Sequence, residues 1–206
     1  KILKLNADTG ALVSSFDAPN DGIVGMTYFE GSLWLAYNES GCCGTTAKFV
    51  EVSTSDGSFD LDDAEDIPFN CCGQSVTGLT NNGQELVAHA DSTAVISFDT
   101  DGDVGDITSN SNFSGSLASN GTSGFGYRAA KNQFFRADDE TLGAYTAGSG
   151  LTEINGFDWD LESQSEDLDI KAITFDNVND IIYIADDDSD TVYIASLPTG
   201  ETTNPK

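Results

Sequence analysis

The sequence has few positive charges: 8 Lys and Arg residues stand against 35 Asp and Glu, a formal net charge of −27. Because nucleic-acid recognition needs Lys and Arg to neutralise phosphates, this balance excludes nucleic acid and anionic membrane surfaces as direct partners. The sequence also contains no run of 18 apolar residues, so insertion into a membrane is not expected. Hydrophobic residues still make up 38% of the chain, which is enough for a folded core.

The motifs of common enzyme sites are missing as well, and His89 is the only histidine. The sequence has no G-x-S-x-G elbow, no H-E-x-x-H zinc motif and no phosphate-binding glycine loop, and we expect no organic cofactor. His89 lies in an apolar strand pattern, which favours a core histidine, although a Ser-His-Asp triad would have to use it. We therefore expect a non-catalytic protein. The alternative is a secreted hydrolase or lyase that acts on a glycan or ester, because the many carboxylates leave glycan hydrolysis open.

Long helical patterns are absent, and short alternating strands take their place. Residues 1–5, 49–52 and 191–194 alternate in the way that strands do. Gly, Ser, Thr, Asn and Asp interrupt each apolar run after roughly ten residues or fewer. Short strands separated by turn residues predict an all-β sandwich, barrel or propeller.

A repeat with a period of about 48 residues favours the propeller. Strand-then-glycine segments end 45 to 50 residues apart, at Gly10, Gly57, Gly102, Gly150 and Gly200. An apolar strand that ends in alanine precedes each of the last four of these segments. A small residue followed by an apolar one opens each unit, at Gly25, Gly78, Gly126 and Ala172. Four strands in 40–50 residues are typical of a β-propeller blade, and we label them a to d from the axis to the rim.

The repeating unit resembles the NHL/YVTN-like group of propeller repeats. The likeness rests on the order of elements in each repeat. A strand is followed by a turn such as Asp8-Thr9-Gly10 or Asp101-Gly102 and by a second strand. A small residue with an apolar neighbour comes next, and then an apolar strand that ends in Ala-Asp. It covers nearly the whole chain. The resemblance implies a propeller fold and implies no particular activity.

We predict one propeller domain over residues 1–206, with about four, or alternatively five, four-stranded antiparallel blades. Residues 1–21 supply c and d strands, full blades span 22–74, 75–115 and 116–168, and 169–206 hold a partial blade and a tail. This organisation gives one c strand more than about four closed blades need. We expect the d strand near residues 11–19 to close the last blade.

The surplus c strand is either residues 1–5 or residues 191–196, and its open edge has two interpretations. It is a rim strand or a mis-assigned tail, or it pairs by strand addition with another molecule or with a missing neighbouring segment. The candidate assembly residues are the apolar positions of both strands: Ile2, Leu3, Leu5, Val192, Tyr193 and Ile194. In the second interpretation the partner is the protein itself, in an adhesive layer or extracellular polymer, or an extracellular protein or neutral glycan.

Four cysteines point to an oxidising compartment, and hence to an extracellular or cell-surface location. They form two adjacent pairs, Cys42-Cys43 in a b–c loop and Cys71-Cys72 in a d–a connection, and both kinds of connection emerge on the same face of the predicted disc. We favour disulfides between the two pairs over two strained bridges between neighbours, with a four-thiolate zinc site as a further alternative. Three N-glycosylation triplets fit the same location, at Asn38, Asn112 and Asn120.

Clusters of acidic residues are candidate Ca²⁺ sites, because a hard cation relieves repulsion between converging carboxylates. The strongest candidate is the b–c loop with Asp186, Asp187, Asp188 and Asp190. A second candidate contains Asp99, Asp101 and Asp103, but it lacks the bidentate Glu of an EF-hand loop, and we interpret it as a hairpin turn. A solvated acidic rim is the alternative for each cluster. The two arginines, Arg128 and Arg136, are expected to be internal partners of carboxylates.

Overall fold

The computed structural model describes residues 1–41, 44–69, 75–90, 95–109, 124–138, 141–146, 152–160 and 168–196. Within these ranges the protein is built from β-strands, with two three-residue 3-10 turns at Leu61–Asp63 and Ala129–Lys131. None of the described helical turns has the length or the apolar character to cross a bilayer. The strands are β1 (Ile2–Leu5), β2 (Leu12–Phe16), β3 (Ile23–Phe29), β4 (Ser32–Gly41), β5 (Gly44–Val52), β6 (Glu65–Asp66), β7 (Val76–Asn81), β8 (Leu86–Ala90), β9 (Val95–Phe98), β10 (Val104–Ser109), β11 (Gly124–Arg128), β12 (Gln133–Asp138), β13 (Thr141–Thr146), β14 (Thr152–Asp160), β15 (Ile170–Asp176), β16 (Ile181–Asp186) and β17 (Thr191–Ser196).

In the described part of the chain these strands form five antiparallel sheets, which we name A to E in chain order. Sheet A contains β1–β2, sheet B β3–β6, sheet C β7–β10, sheet D β11–β14 and sheet E β15–β17. Every strand pairs with its neighbour in sequence, as short turns between alternating strands require. The prediction of an all-β fold made of antiparallel sheets is therefore confirmed.

The predicted closure of the last sheet is not observed. The d strand that we expected to complete sheet E is β2, and β2 pairs with β1, through Ile2–Phe16 and Leu3–Ser15. A tight turn holds the β1–β2 hairpin, because the Asn6 side chain accepts hydrogen bonds from backbone N–H groups of the turn. Ile2 and Phe16 then pack on sheet B, which places the hairpin beside that sheet. Sheet E consists of three strands in the described residues.

Consecutive sheets pack face to face, and each of the four junctions has an apolar core. Representative pairs are Ile2 and Val50 between A and B, Phe49 and Phe98 between B and C, Val87 and Phe125 between C and D, and Phe135 and Ile182 between D and E. Alternation within each strand supplies one apolar row to each neighbouring sheet, as expected for strands covered on both faces. Among the described residues, no such core joins sheet E to sheet A.

The innermost strands β3, β7, β11 and β15 approach one another closely, and glycines allow this. A Cβ added at Gly25 would lie 2.4 Å from the Leu79 backbone nitrogen, and one at Gly78 would lie 2.6 Å from the Phe125 Cβ. In sheet D the equivalent position is Gly124, which pairs with an alanine of β12, and not Gly126 as the repeat predicted. The first strand of these units has a small residue at this position because the next sheet leaves no space for a side chain there.

Candidate functional site

The structure contains an apolar cavity of about 530 Å³ among the inner strands of sheets B to E. We call it the axial cavity. Residues of β3, β7, β11 and β15 form its wall, and β1, β16 and β17 border it as well. Among the described residues that line it there is no Asp or Glu, and Lys171 is the one charged side chain. In a protein with 35 acidic residues, this acid-free wall is suited to an apolar ligand and not to a cation.

The axial cavity continues onto two sheet faces that no other sheet covers in the described structure. Leu3 and Leu5 of β1 point away from sheet B and are 56% and 48% exposed. Val192 and Ile194 of β17 point away from sheet D and are 55% and 59% exposed. We call these two surfaces the end faces of sheets A and E. Exposed apolar side chains that cluster on uncovered sheet faces are typical of interaction surfaces.

The predicted assembly residues therefore divide into two groups. Leu3, Leu5, Val192 and Ile194 lie on the end faces, where a partner can reach them. The remaining two point the other way: Ile2 packs in the A–B junction, and Tyr193 packs against the D–E junction. Strand alternation explains the division, because neighbouring residues point to opposite faces of a sheet. Ile2 and Tyr193 anchor the two strands, and the other four residues form the accessible surface.

A second cavity, of about 750 Å³, lies between the rims of sheets B and C. We call it the acidic groove. Six carboxylates line it, three of them in or beside the 3-10 turn of sheet B: Glu51, Asp60, Asp62, Asp63, Glu65 and Asp101. Its floor is aromatic, with Trp34, Phe49 and Phe59. The groove is open to solvent, so its carboxylates are hydrated, and it differs from the axial cavity in both charge and polarity.

The predicted Ca²⁺ loop in sheet E is a turn that satisfies its own first carboxylate. Asp186 accepts hydrogen bonds from the backbone N–H of Asp169 at 2.7 Å and from the Ser189 hydroxyl at 2.5 Å. The Ser189 bonds and the Asp169 N–H keep the pKa of Asp186 below its ordinary value. The other predicted ligands, Asp187, Asp188 and Asp190, are exposed. In the described part of the chain, no three His, Cys, Asp or Glu side chains converge to hold a metal ion.

The predicted second loop, with Asp99, Asp101 and Asp103, is a hairpin turn. The Asp99 carboxylate accepts hydrogen bonds from the backbone N–H groups of Asp101 at 3.0 Å and Asp103 at 2.9 Å. Gly102 follows with φ at +82°, a conformation that glycine adopts without strain. These bonds support the hairpin interpretation over the Ca²⁺ loop.

The four cysteines of the predicted disulfides lie outside the described residues: Cys42, Cys43, Cys71 and Cys72. The same is true of two glycosylation candidates, Asn112 and Asn120. Asn38 is described, and its side chain amide bridges sheets B and C. It donates to the Val76 carbonyl at 2.9 Å and accepts from the Val76 N–H at 2.8 Å. A glycan on Asn38 would replace one of the two Nδ2 hydrogens beside this bridge, and glycosylation of Asn38 stays a prediction.

His89 lies in the junction between sheets C and D and is fully buried. Its Nδ1 lies 2.7 Å from the Thr77 hydroxyl, and its ring packs on Phe125. Burial, and then the nearby Arg136 guanidinium, lower the pKa of His89 well below its ordinary value. A substrate in solution has no access to this imidazole, which makes it a core histidine and not a general base.

The arginine prediction is confirmed for Arg128. Its Nε and Nη2 donate to the two carboxylate oxygens of Asp180 at 2.6 and 2.5 Å. The Arg128 hydrogen bonds keep the pKa of Asp180 below its ordinary value. This bidentate pair ties the end of β11 to the turn between β15 and β16 and thus stabilises the D–E junction. Arg136 is buried in the interior of sheet D.

Sequence reasoning missed both cavities. The acidic groove has a sequence signal, because four acids and Phe59 fall within residues 59–65. Asp101 lies in the c–d turn of the next unit. The strongest acidic cluster predicted from the sequence is instead the b–c loop with Asp186, Asp187, Asp188 and Asp190. The axial cavity has no comparable signal, since its wall residues come from five sheets. What identifies it is the absence of acidic residues at positions that only the fold brings together.

No protein-family model and no curated protein sequence matches this chain. Solved structures match at the level of the fold. The Myxococcus xanthus glutaminyl cyclase is similar to this chain with a TM-score of 0.55 and 11% identity, over 79% of this chain and 60% of the cyclase. A chain of the mitotic checkpoint complex is similar with a TM-score of 0.51 and 8% identity, over 94% of this chain and 67% of that chain.

These neighbours include β-propeller proteins, so the chain has a propeller-like all-β fold. At such low sequence identity the similarity supports the fold and nothing more. The NHL/YVTN-like resemblance is not confirmed at the family level. The chain spans about 60% of the length of the glutaminyl cyclase chain that it resembles. Activities of the similar proteins therefore do not transfer to this chain.

Proposed function

We propose that this chain is a non-catalytic, propeller-type binding and assembly module that contacts another polypeptide through the axial cavity and the end faces of sheets A and E. The observation that carries the proposal is the acid-free apolar surface at this place in a protein of net charge −27. At the four junctions the described sheets bury apolar rows against one another. An exposed apolar surface of this size on a highly charged protein is typical of a binding site.

The finer features of the fold belong to the same proposal. Sheets A to E are blades that repeat about every 48 residues around the axial cavity, with sheets A and E as incomplete blades. Four cysteines at positions 42, 43, 71 and 72 support an extracellular or cell-surface location, where disulfides are stable. An extracellular protein is the partner that the apolar wall favours over a neutral glycan, because glycans need hydrogen-bonding groups and this wall supplies few.

Binding of Nile red, an uncharged apolar dye, tests whether the surface accepts a ligand in the folded chain. We expect the fluorescence of the dye to rise and shift to the blue with the wild-type protein. Met26→Lys, on the cavity wall, is expected to weaken this binding about fivefold or more, because it places a charge in an apolar site. Phe59→Lys in the acidic groove is the matched control and is expected to bind as the wild type does. Equal binding by all three proteins, or none by the wild type, would contradict the proposal.

Calcium binding remains a separate prediction for the turn that holds Asp186, Asp187, Asp188 and Asp190, with the Asp99 turn as its weaker counterpart. A bound cation would stabilise the folded state by mass action. The measurement is the melting temperature with Ca²⁺ and with excess chelator, for the wild type and for Asp188→Asn. A midpoint that chelator does not change would exclude a stabilising Ca²⁺ site. A rise with Ca²⁺ that Asp188→Asn abolishes would locate the site.

A further inference from the structure

We infer that the polypeptide partner is a second copy of this chain, with β1 of one copy pairing with the open edge of β17 of the next. The inference rests on the proposed function and names the partner of its surface. It follows from three independent properties of the two strands: their free edges, their apolar faces and the charges that flank them.

The free edges are the first property. In the described structure β17 pairs on one side with β16, and β1 pairs on one side with β2. The other edge of each strand presents backbone N–H and C=O groups that have no strand beside them within the described residues. Such edges are templates for strand addition. Joining them gives one continuous sheet across two copies, in the order β15–β16–β17 and then β1–β2 of the next copy.

The apolar faces are the second property. On β17, Val192 and Ile194 point away from sheet D, while Tyr193 packs towards it. On β1, Leu3 and Leu5 point away from sheet B. The pairing that we infer is antiparallel, with Leu3 and Leu5 of one copy beside Val192 and Ile194 of the other, so that all four side chains lie on a single face. The joined sheet then carries an apolar row of the kind that already packs each described sheet on the next one.

The flanking charges are the third property. The chain has 8 Lys and Arg residues, and one of them, Lys4, lies on β1. Lys1, just before β1, already forms an ion pair with Asp17 of the same hairpin. The turn that leads into β17 carries exposed Asp187, Asp188 and Asp190. Antiparallel pairing of β1 with β17 therefore brings Lys4, near the end of β1, to the anionic turn before β17. This complementarity offsets part of the repulsion between two chains of net charge −27. It also favours β1 as the strand that binds beside the acidic turn of the partner.

The contact is head-to-tail, because it uses two different strands of the molecule. Each added copy exposes a new β17 edge, so the assembly grows in one direction until its geometry closes a ring. This property separates the proposed contact from a symmetric dimer, in which one surface would meet itself.

Light scattering after size exclusion tests the inference with the whole chain, at salt high enough to screen long-range repulsion. We expect the mass of the wild type to rise with concentration beyond a dimer. Leu3→Lys and Val192→Lys each disable one of the two strands and should weaken association about tenfold or more. Val178→Lys is the matched control, since Val178 is an exposed valine in the turn between β15 and β16, and it should associate as the wild type does.

A mixture of the two disabled variants gives the sharper result. Leu3→Lys keeps an intact β17 and Val192→Lys keeps an intact β1, so the mixture should form a 1:1 heterodimer that does not grow. Circular dichroism confirms that each variant is folded. A wild type that stays monomeric up to millimolar concentration overturns the inference, and so does a mixture that shows no heterodimer.

The two proposals fail separately. Nile red binding by a protein that stays monomeric would keep the binding surface of the proposed function and overturn the second copy as its partner. Loss of both signals would overturn the function as well. If the wild type does associate, Lys4→Glu should weaken the association. A second change, Asp188→Lys, should then recover part of it if the charges pair as we infer.

Discussion

The four junctions between sheets and the two end faces are built from the same kind of strand and have opposite environments. In sheet E, Ile182 points into the D–E junction and is fully buried, whereas Ile194 on the next strand points out of the end face and is largely exposed. Both residues follow the same alternating pattern. The comparison teaches that alternation decides which residues share a face, while the position of the sheet decides whether that face is covered.

The inner strands show the same contrast through their small residues. Gly25, Gly78 and Gly124 lie where the next sheet approaches to within van der Waals contact. Ala172 occupies the equivalent position of sheet E, paired with Ala185, and it is exposed to the axial cavity. A side chain is tolerated at this position because no further described sheet covers it. The positions that a neighbouring sheet covers therefore require glycine, whereas the open position in sheet E accepts alanine.

The largest expected difference is between two isoleucines of sheet E. Ile182→Ala should lower the free energy of unfolding by about 4 kcal/mol, because it leaves a cavity in the D–E core. Ile194→Ala should change it by about 0.5 kcal/mol or less, since its side chain is already hydrated. Urea unfolding of the monomer measures both. Similar losses for the two variants would show that the end face of sheet E is covered in solution.

The next difference compares a covered small residue with an open one. Gly25→Ala should lower the free energy of unfolding by about 3 kcal/mol, because the added Cβ would lie 2.4 Å from a backbone nitrogen of the next strand. Ala172→Val adds more atoms but should cost about 0.5 kcal/mol or less, since it faces the cavity. Urea unfolding again provides the measurement. A destabilising Ala172→Val would place another element against sheet E.

Much of the fold follows from sequence, and the exceptions have physical causes. Strand positions followed from alternation and from Gly10, Gly57 and Gly102, which have positive φ in the turns. The repeat predicts Gly126 as the small residue of sheet D, two residues beyond Gly124, because a shift of two residues keeps the same face of the strand. Only the contact between β11 and β15 distinguishes the two positions.

Closure and the candidate site could not be read from the sequence. Local patterns specify the β1–β2 hairpin, but they do not specify which sheet the hairpin packs on. That choice depends on Ile2 and Phe16 meeting Leu35 and Val50, which are distant in the sequence. The acid-free wall of the axial cavity likewise combines residues from Leu3 to Val192. Such surfaces arise from long-range contacts, for which a single sequence carries no periodic signal.

A smaller effect is expected for the ion pair that holds the D–E junction. Asp180→Asn keeps the positive φ of this turn residue, which asparagine tolerates, but removes the charge beside the buried Arg128. We expect a loss of about 2 kcal/mol in the free energy of unfolding. Asp17→Asn is the control, because the exposed Lys1–Asp17 pair should contribute no measurable change in the melting midpoint. Equal effects would mean that the pairing of Arg128 does not stabilise the junction.

The lowered pKa of Asp180 also predicts a pH dependence that the same variant removes. The Arg128 hydrogen bonds favour the carboxylate in the folded state, so the pair stabilises the protein above the unfolded pKa of aspartate. Its contribution is lost as the pH falls through the lower pKa of the folded state. The difference in stability between wild type and Asp180→Asn should therefore shrink on acidification. A difference that is constant with pH would assign the effect of the variant to the geometry of the turn.

The smallest expected effect comes from His89 in the C–D junction, and it runs through a different pH range. Burial holds this imidazole neutral in the folded protein, whereas the unfolded chain binds a proton below pH 6.5. Acidification from that pH should thus lower stability by at most about 1.4 kcal/mol per pH unit relative to His89→Gln, which cannot titrate. Comparing the two proteins cancels the titration of the carboxylates. A parallel pH dependence of both would mean that the folded state accepts the proton, and that this junction opens to water as the end faces do.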